Sequence, residues 1–212
     1  LITFDKNHGF CGGYNRALAQ VTTDYFVLLN SDIEVTENWI GPVIRLFEQD
    51  DQIAAVQPKL LDYHDRTKFE YAGGAGGFMD LYGFPFCRGR IFGTIETDTG
   101  QYDNTMEIFW ATGACFFVRA NLFKAYGGFD DEFFAHMEEI DLCWRMKQDG
   151  HKIYYCPAST VYHVGGGTLA YSNPRKTYLN FRNSLMVLIK NQPTKNLLSK
   201  LTTRWLVDYM AI

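Results

Sequence analysis

The sequence predicts an α/β domain with a mostly parallel central sheet, on three observations. Segments of strand and helix length alternate over residues 1–57 in the order strand, helix, strand, helix, strand. The segment at 25–29 is apolar at every position, which is typical of a strand covered on both faces. The chain has 212 residues, a length that suits one domain with a sizeable core.

The composition argues against several classes of protein. A formal net charge of −4 is unsuited to binding that depends on nucleic acid or another polyanion. The 47 % hydrophobic and 21 % charged residues are typical of a globular domain rather than a disordered one. No apolar run reaches the roughly 18 residues of a membrane-spanning helix.

The cysteines indicate a reducing compartment. They are widely spaced, lie mostly among apolar residues and include no Cys-x-x-Cys pair. This pattern favours buried free thiols over a zinc site or a disulfide framework. The five are Cys11, Cys87, Cys115, Cys143 and Cys156.

Short apolar runs separated by turn residues define the first elements. Residues 1–4 are predicted to form an abrupt apolar strand, after which a glycine-rich segment leads into a helix. Trp39, Val43 and Phe47 make the apolar side of a second helix, and Pro58 is expected to end the strand after it. The predicted strands are therefore 1–4, 25–29 and 53–57, and the predicted helices are 14–20 and 38–49.

Residues 60–104 differ from the rest of the chain because their periodicity is weak. They contain Gly73-Gly74-Ala75-Gly76-Gly77, several aromatic side chains and scattered charges. We expect a long, irregular insertion with a hairpin around 71–84. Long irregular segments in compact domains are usually functional or mobile.

Regular structure resumes after the insertion. Ile140, Leu142 and Met146 supply the apolar side of a strong helix, which Gly150 is expected to end. The predicted strands are 106–110, 114–119, 152–156 and 160–163, and the predicted helices are 121–126, 138–149 and a tail at 178–212 broken at Pro193.

Asn30-Ser31-Asp32 directly follows the buried strand at 25–29. Ligands of open α/β sheets bind beyond the carboxyl ends of the strands, so a carboxylate here is well placed to hold Mg²⁺ or Mn²⁺ against a diphosphate. The same three residue types are common in turns, and Asp32 is equally explained as a residue that stabilises the turn.

Glu138 and Glu139 stand at the start of the strong helix, after a segment rich in acids and aromatic residues. Acids at a helix N-terminus gain from the helix dipole, which is a purely structural explanation. The two side chains point in directions about 100° apart, so one of them can face a cleft. A carboxylate beside a bound hydroxyl can act as a general base.

His163 ends a predicted strand and is followed by three glycines, which allow close approach of the backbone to a ligand. Histidine is a common metal ligand, although a lone histidine is more often an ordinary hydrogen-bonded residue. Arg175, Lys176 and Arg182 lie near the end of the domain, where they either meet phosphate or are simply solvated.

In combination and in this order, the motifs resemble the inverting glycosyltransferases of family 2, and in particular their bacterial rhamnosyltransferase-like branch. The resemblance covers about residues 1–192. The matching segments are Asn7-x-Gly9-Phe10-x-Gly12-Gly13-x-Asn15, Leu28-Leu29-Asn30-Ser31-Asp32, Trp110-x-x-Gly113-Ala114, Gly128-Phe129-Asp130-x-Glu132-Phe133-Phe134, Glu138-Glu139-x-Asp141-Leu142-x-x-Arg145 and His163-x-x-Gly166.

The resemblance implies a GT-A fold and a set of site residues. Asp32 corresponds to the metal-binding acid of the family's Asp-x-Asp motif, whose first position is Asn30 here. His163 falls where relatives place a metal-ligating histidine, and the implied cofactor is Mn²⁺ or Mg²⁺. Glu139 corresponds to the catalytic base, with Glu138 as its rival.

The remaining site residues are expected from the resemblance, except Arg182, which is expected from its capacity to meet phosphate. Asn15 and Arg182 are expected on the donor, and Trp110 and Gly113 on the acceptor. Asp141 and Arg145 are expected beside the substrate and in support of the helix that carries the base.

The implied activity is transfer of a sugar from a UDP- or dTDP-sugar to a glycan or lipid-linked acceptor in bacterial cell-surface polysaccharide synthesis. The implied location is the cytoplasm, with association at the inner face of the plasma membrane. The implied parts are a nucleotide-binding part at 1–59 that lacks the family's first strand–helix unit, the insertion at 60–104, an acceptor-binding part at 105–192 and a helical tail at 193–212.

Three other functions remain open. A sugar nucleotidyltransferase would need a basic glycine-rich phosphate loop and a second metal-binding carboxylate, and neither is evident in the sequence. A non-catalytic binding module on the same scaffold would not need Asp32, Glu139 and His163 together. A zinc hydrolase built on His136, Glu139 and His163 would lack His-Glu-x-x-His spacing.

Overall fold

A computed structural model describes residues 1–165 and 174–211. The helices in these residues are α1 (Gly9–Leu18), α2 (Ile40–Gln49), α3 (Ala120–Ala125), α4 (Glu138–Gln148), α5 (Pro174–Asn191) and α6 (Leu197–Ala211), with single 3₁₀ turns at Asp131–Phe133 and Thr194–Asn196. The strands are β1 (Tyr25–Leu29), β2 (Ile33–Val35), β3 (Ile53–Asp62), β4 (Gly77–Met79), β5 (Pro85–Cys87), β6 (Arg90–Ile91), β7 (Thr94–Ile95), β8 (Met106–Ile108), β9 (Cys115–Arg119) and β10 (Lys152–His163).

The α/β class is confirmed, but the central sheet is mostly antiparallel where a mostly parallel one was predicted. Its strand order is β1-β9-β3-β10-β2, with β8 also paired to β10. Only the β3–β10 pairing is parallel among the described strands. The reason is that β9 lies between β1 and β3 and runs against both, so strands that follow one another in sequence are not neighbours.

Two predictions about individual strands were wrong. Residues 1–4 are exposed and form no strand with any part of the chain that the structure describes. Pro58 does not end β3, which continues to Asp62. Pro58 faces Cys156 at a register shift in β10, and proline is tolerated at such irregularities because no ladder hydrogen bond is required of it. The two strands predicted at 152–163 are therefore one strand with a bulge.

The core covers both faces of the sheet. On one face, α2 packs Val43 and Phe47 against Val56 and Phe117. On the other, residues of α1, α3 and α4 pack against Phe116 and its neighbours. Adjacent β9 residues thus serve opposite faces, as a strand buried on both sides requires. All five cysteines are buried free thiols.

The insertion and the tail follow the sequence prediction more closely. The expected hairpin is the β4–β5 pair, with Gly77 opposite Cys87. The tail forms two helices separated at Pro193, although α5 begins at Pro174, earlier than predicted. Within residues 1–165 and 174–211, no helix combines the length and the apolar character needed to cross a membrane.

Candidate active site

The turn after β1 packs against the start of β9 and so brings two sequence motifs together. The backbone N–H of Asn30 donates a 3.0 Å hydrogen bond to the carbonyl of Ala114, which follows Gly113. The N–H of Val164, just after β10, donates to the carbonyl of Asp32 at 3.1 Å. These bonds fix Asp32 between the ends of β1 and β10.

His163, the last residue of β10, is buried beside Asp32. Its Nε2 lies 3.3 Å from Oδ1 of Asp32, and its Nδ1 lies 3.3 Å from Oε1 of Glu70. Burial lowers the pKa of His163, but Glu70 and then Asp32 outweigh burial, so the net pKa is raised. The imidazole therefore lies between two carboxylates.

Glu70 is a site residue that sequence reasoning missed. It lies in the irregular insertion, far from His163 along the chain, and a single acid without a periodic context gives no signal. Its contact with His163 arises only because the insertion folds back along β3 toward the end of β10.

Glu138 and Glu139 begin α4, and both carry a buried Oε2 without a hydrogen-bond partner among the described residues. Burial and then the charge of Glu139 raise the pKa of Glu138 well above its usual range. Burial also raises the pKa of Glu139, against the opposing effect of backbone groups that include Gly113. Both acids lie near Cys11 of α1. Burial and then the charges of Glu138 and Glu139 raise the pKa of the Cys11 thiol.

Glu139 also faces the Trp110–Ala114 motif. A Cβ added at Gly113 would lie 3.7 Å from both Cδ and Oε1 of Glu139, in ordinary contact. Gly113 precedes Ala114, whose carbonyl accepts the hydrogen bond from Asn30. The segment that Glu139 contacts is therefore bonded directly to the turn that carries Asp32.

The segment before α4 is conformationally strained. Phe134, His136 and Met137 have φ values of 63°, 72° and 72°, in the left-handed region that non-glycine residues seldom adopt. Such strain costs on the order of 1–3 kcal/mol per residue and persists only where neighbouring structure enforces it. The start of α4 thus depends on contacts from elsewhere.

Asn183 and Arg182 of α5 supply these contacts. The fully buried Asn183 donates from Nδ2 to the carbonyls of Phe133, Ala135 and His136, at 3.0, 2.8 and 2.7 Å. Arg182 donates from Nη2 to the carbonyl of Phe133 at 3.1 Å. The predicted contact of Arg182 with the donor stays a prediction, and the structure gives its guanidinium this backbone role.

Asp141 and Arg145 brace α4 from within. Asp141 is fully buried and accepts hydrogen bonds from Arg145 at 2.8 Å, Lys190 at 2.9 Å and Asn191 at 2.8 Å. Arg145 also donates to the carbonyls of Tyr126 and Gly128, just after α3. Both residues therefore support the helix that carries the acids, while their predicted contact with substrate stays untested.

Asn15 and Trp110 are largely engaged inside the fold. Asn15 donates to the carbonyl of Phe129 at 2.7 Å and accepts from the N–H of the same residue at 2.9 Å, which ties α1 to the segment before α4. Trp110 is 7 % exposed, and its indole N–H donates to the carbonyl of Phe78 at 2.8 Å. Their predicted donor and acceptor contacts stay predictions.

Asp32 and His163 offer suitable atoms for a divalent cation, since carboxylate oxygen and imidazole nitrogen are both ligands of Mn²⁺. In residues 1–165 and 174–211, no three His, Cys, Asp or Glu side chains converge on a common metal position. Asp32 and His163 are the described side chains that would hold such a cation, which would supply positive charge at this place. Gly166, part of the His163 motif, lies outside the described residues.

Comparison with known proteins adds a family to this geometry. Residues 1–185 match the family model described as glycosyltransferase like family 2. The chain is 36 % identical over 165 residues to rhamnosyltransferase WbbL of Escherichia coli, covering 74 % of this chain and 61 % of the relative. It is 28 % identical over 180 residues to O-antigen biosynthesis protein RfbC of Myxococcus xanthus, covering 84 % of this chain and 14 % of the relative.

Two further similarities are more distant. An N-acetylglucosaminyl-diphospho-decaprenol L-rhamnosyltransferase of Mycobacterium tuberculosis is 24 % identical over 179 residues, covering 77 % of this chain and 58 % of the relative. The chain thus spans less than two thirds of each of these relatives. A crystal structure of GalNAc-T7 with UDP, GalNAc and Mn²⁺ superposes with a TM-score of 0.60 at 15 % identity, over 81 % of this chain and 33 % of that one. This likeness confirms the GT-A fold.

Proposed function

The chain belongs to glycosyltransferase family 2, and from that premise we propose that it transfers a sugar from a nucleotide diphosphate to a hydroxyl of a glycan or lipid-linked acceptor, with inversion. One observation carries the proposal. Oδ1 of Asp32 and Nε2 of His163 are 3.3 Å apart, and the Asp32 turn is hydrogen-bonded to Ala114, next to the Gly113 position against which Glu139 packs with a raised pKa. A diphosphate-binding pair and a base are the groups that such a transfer needs.

Asp32 and His163 would hold a divalent cation, Mn²⁺ or Mg²⁺, which supplies positive charge where the departing diphosphate becomes more negative. Asn30, at the first position of the motif, hydrogen-bonds through its backbone to Ala114 and orients the turn. The solved GalNAc-T7 structure, whose fold this chain shares, contains UDP and Mn²⁺, which is in keeping with a nucleotide and a divalent cation in this fold.

Glu139 would act as the general base. Its carboxylate would take the proton of the acceptor hydroxyl as that oxygen attacks the anomeric carbon, and the carbon–oxygen bond to the diphosphate would break on the opposite face. The raised pKa makes Glu139 a better proton acceptor than an ordinary surface carboxylate. Its position against Gly113 favours it over Glu138, whose carboxyl is held close to the core.

The names of the relatives point to the biological setting. Two are rhamnosyltransferases and one is an O-antigen biosynthesis protein. We infer that this chain uses a UDP- or dTDP-sugar in bacterial cell-surface polysaccharide synthesis, in the cytoplasm at the inner face of the membrane, where a lipid-linked acceptor would be reached.

Calorimetric titration with UDP, dTDP and GDP, each with and without Mn²⁺, tests the donor site. We expect one nucleotide to bind in a Mn²⁺-dependent way. Equal binding with and without Mn²⁺ would contradict the cation's role, and binding without any turnover of the matching nucleotide sugar would instead favour a non-catalytic module.

Glu139→Gln tests the base. We expect release of nucleoside diphosphate from the matching nucleotide sugar to fall by at least about 100-fold, because positioned general bases contribute roughly 10²–10⁴ in rate. Nucleotide binding should stay within about twofold of wild type, since Glu139 does not touch the Asp32–His163 pair. Glu48→Gln, an exposed acid of α2 that belongs to none of the motifs, serves as the matched control. Near-normal release by Glu139→Gln would remove Glu139 from the role.

A further inference from the structure

Glu70 is a buried carboxylate whose position the proposed reaction does not explain. Only 4 % of its surface is exposed, and acids are seldom buried unless they are paired. Among the described residues, His163 is its single ion-pair partner. The other carboxylate oxygen, Oε2, accepts a 2.6 Å hydrogen bond from the N–H of Ala72.

The backbone around Glu70 is rigidly attached to β3. Glu70 N–H donates to the carbonyl of Leu60 at 3.0 Å, and Leu60 N–H donates to the carbonyl of Gly74 at 2.9 Å. A Cβ at Gly74 would come within 2.8–3.0 Å of these backbone atoms, so only glycine allows the chain to close this tightly. The insertion therefore holds the Glu70 carboxylate at a fixed place.

The Glu70 carboxylate lies beside Nδ1 of the His163 ring, whereas Asp32 lies beside Nε2. Oε1 of Glu70 is 3.3 Å from Nδ1, whereas Oδ1 of Asp32 is 3.3 Å from Nε2. Nδ1 has no aligned hydrogen bond in the described part of the chain. A small rotation of the ring or carboxylate at 3.3 Å would form one, because N–H···O bonds extend to about 3.2 Å.

We propose that Glu70 is a positioning residue for His163: its carboxylate accepts a hydrogen bond from Nδ1–H, so that Nε2, on the Asp32 side of the ring, is the nitrogen that would bind the cation. The inference rests on the proposed cation site at Asp32 and His163. Metal-ligating histidines generally donate their other N–H to a carboxylate or carbonyl, and loss of that partner weakens metal affinity about 10–100-fold. The irregular insertion thus contributes to the cation site without touching the cation.

Titration of the protein with Mn²⁺ alone, followed by the electron paramagnetic resonance of free Mn²⁺, tests this role. Glu70→Gln is isosteric and should weaken Mn²⁺ binding about 10–100-fold. Glu96→Gln is the matched control, because Glu96 lies in the same insertion and is bonded to Tyr102 rather than to His163. We expect the control to bind Mn²⁺ like wild type.

A second pair of measurements keeps the outcomes separate. If His163→Ala loses Mn²⁺ binding while a folded Glu70→Gln retains wild-type affinity, Glu70 has no positioning role and the cation site stands. If His163→Ala binds Mn²⁺ like wild type, the cation site itself is wrong and the role of Glu70 falls with it. Should Glu70→Gln fail to fold, Glu70→Asp, which withdraws the carboxylate by one methylene, is expected to show the same loss.

Discussion

Replacement of Asn183 by alanine should damage both the stability of the domain and its proposed catalysis. The Asn183 amide is the shared donor to three carbonyls in the strained segment before α4, those of Phe133, Ala135 and His136. Alanine removes the donor and leaves these carbonyls in a space that water cannot readily fill. The segment is then free to leave its left-handed conformation.

The magnitude follows from the bonds that are lost. A typical hydrogen bond contributes about 1 kcal/mol net, and a buried group left without a partner costs about 1–3 kcal/mol. With two N–H groups shared among three carbonyls, we expect the free energy of unfolding to fall by about 2–4 kcal/mol. A displacement of about 1 Å at the Glu139 carboxylate would by itself cost about 100-fold in rate.

Urea denaturation measures the first effect, and turnover of the nucleotide sugar at a temperature where the variant is fully folded measures the second. We expect a reduced kcat with a nearly unchanged KM for the donor, since the donor pair at Asp32 lies on other elements. Asn183→Asp, which keeps the size but replaces the donor by an oxygen, should be at least as harmful. Tyr126→Phe, which loses one exposed hydrogen bond to Asp149, is the control.

The refuting result is specific. If Asn183→Ala unfolds within about 0.5 kcal/mol of wild type, the three bonds do not hold the segment. If stability falls as expected but kcat is unchanged in the folded variant, the segment does not position Glu139.

Two further predictions concern α4. The pKa of Glu138 is higher in the folded protein than in the unfolded chain, because burial disfavours the charged form. Wild-type stability should therefore fall as the pH rises above the ordinary carboxyl pKa toward the folded-state pKa. Glu138→Gln should therefore be the more stable protein at pH 8 and lose this advantage near pH 4, and equal differences in urea midpoint at both pH values would contradict the assignment. Asp141→Asn should cost about 3–5 kcal/mol in urea unfolding, because Arg145 and Lys190 lose a buried anionic partner, whereas Asp149→Asn on the exposed end should cost under about 1 kcal/mol.

The pattern of apolar residues along the chain was sufficient to predict individual strands and helices. The fully apolar run at 25–29 is β1 without a change of boundary, and the apolar side built on Ile140 and Leu142 identifies α4 to within a residue. The predicted cover on both faces of β1 was wrong, because β1 is an edge strand and Val27 is 37 % exposed. The pairing of strands is not local. Nothing in the sequence of β9 indicates that it separates β1 from β3, and for this reason the predicted parallel sheet was wrong.

The same distinction applies to the site. Asp32 and His163 could be selected as candidates because each follows or ends a strand, where side chains of an α/β sheet meet ligands, and the structure places them side by side. Glu70 reaches the site only through a loop closure that depends on Gly74, and no periodicity marks such a contact. Asn183 was missed for a related reason. Its side chain binds three backbone carbonyls of a distant segment, and such contacts cannot be predicted from residue type.

The three buried acids of α4 differ in whether their carboxylates have partners within the fold. Asp141 is fully buried and is matched by two cations and an amide, so its charge is neutralised within the fold. Glu138 and Glu139, one turn or less away, have buried oxygens without hydrogen-bond partners in the described residues, and burial raises the pKa of both. A helix that needed acids only for its dipole would expose them to water, where they cost nothing to ionise. Unmatched buried acids reduce stability, so the place of Glu139 against Gly113 accords with the proton transfer proposed for it, whereas Glu138 lies closer to the core.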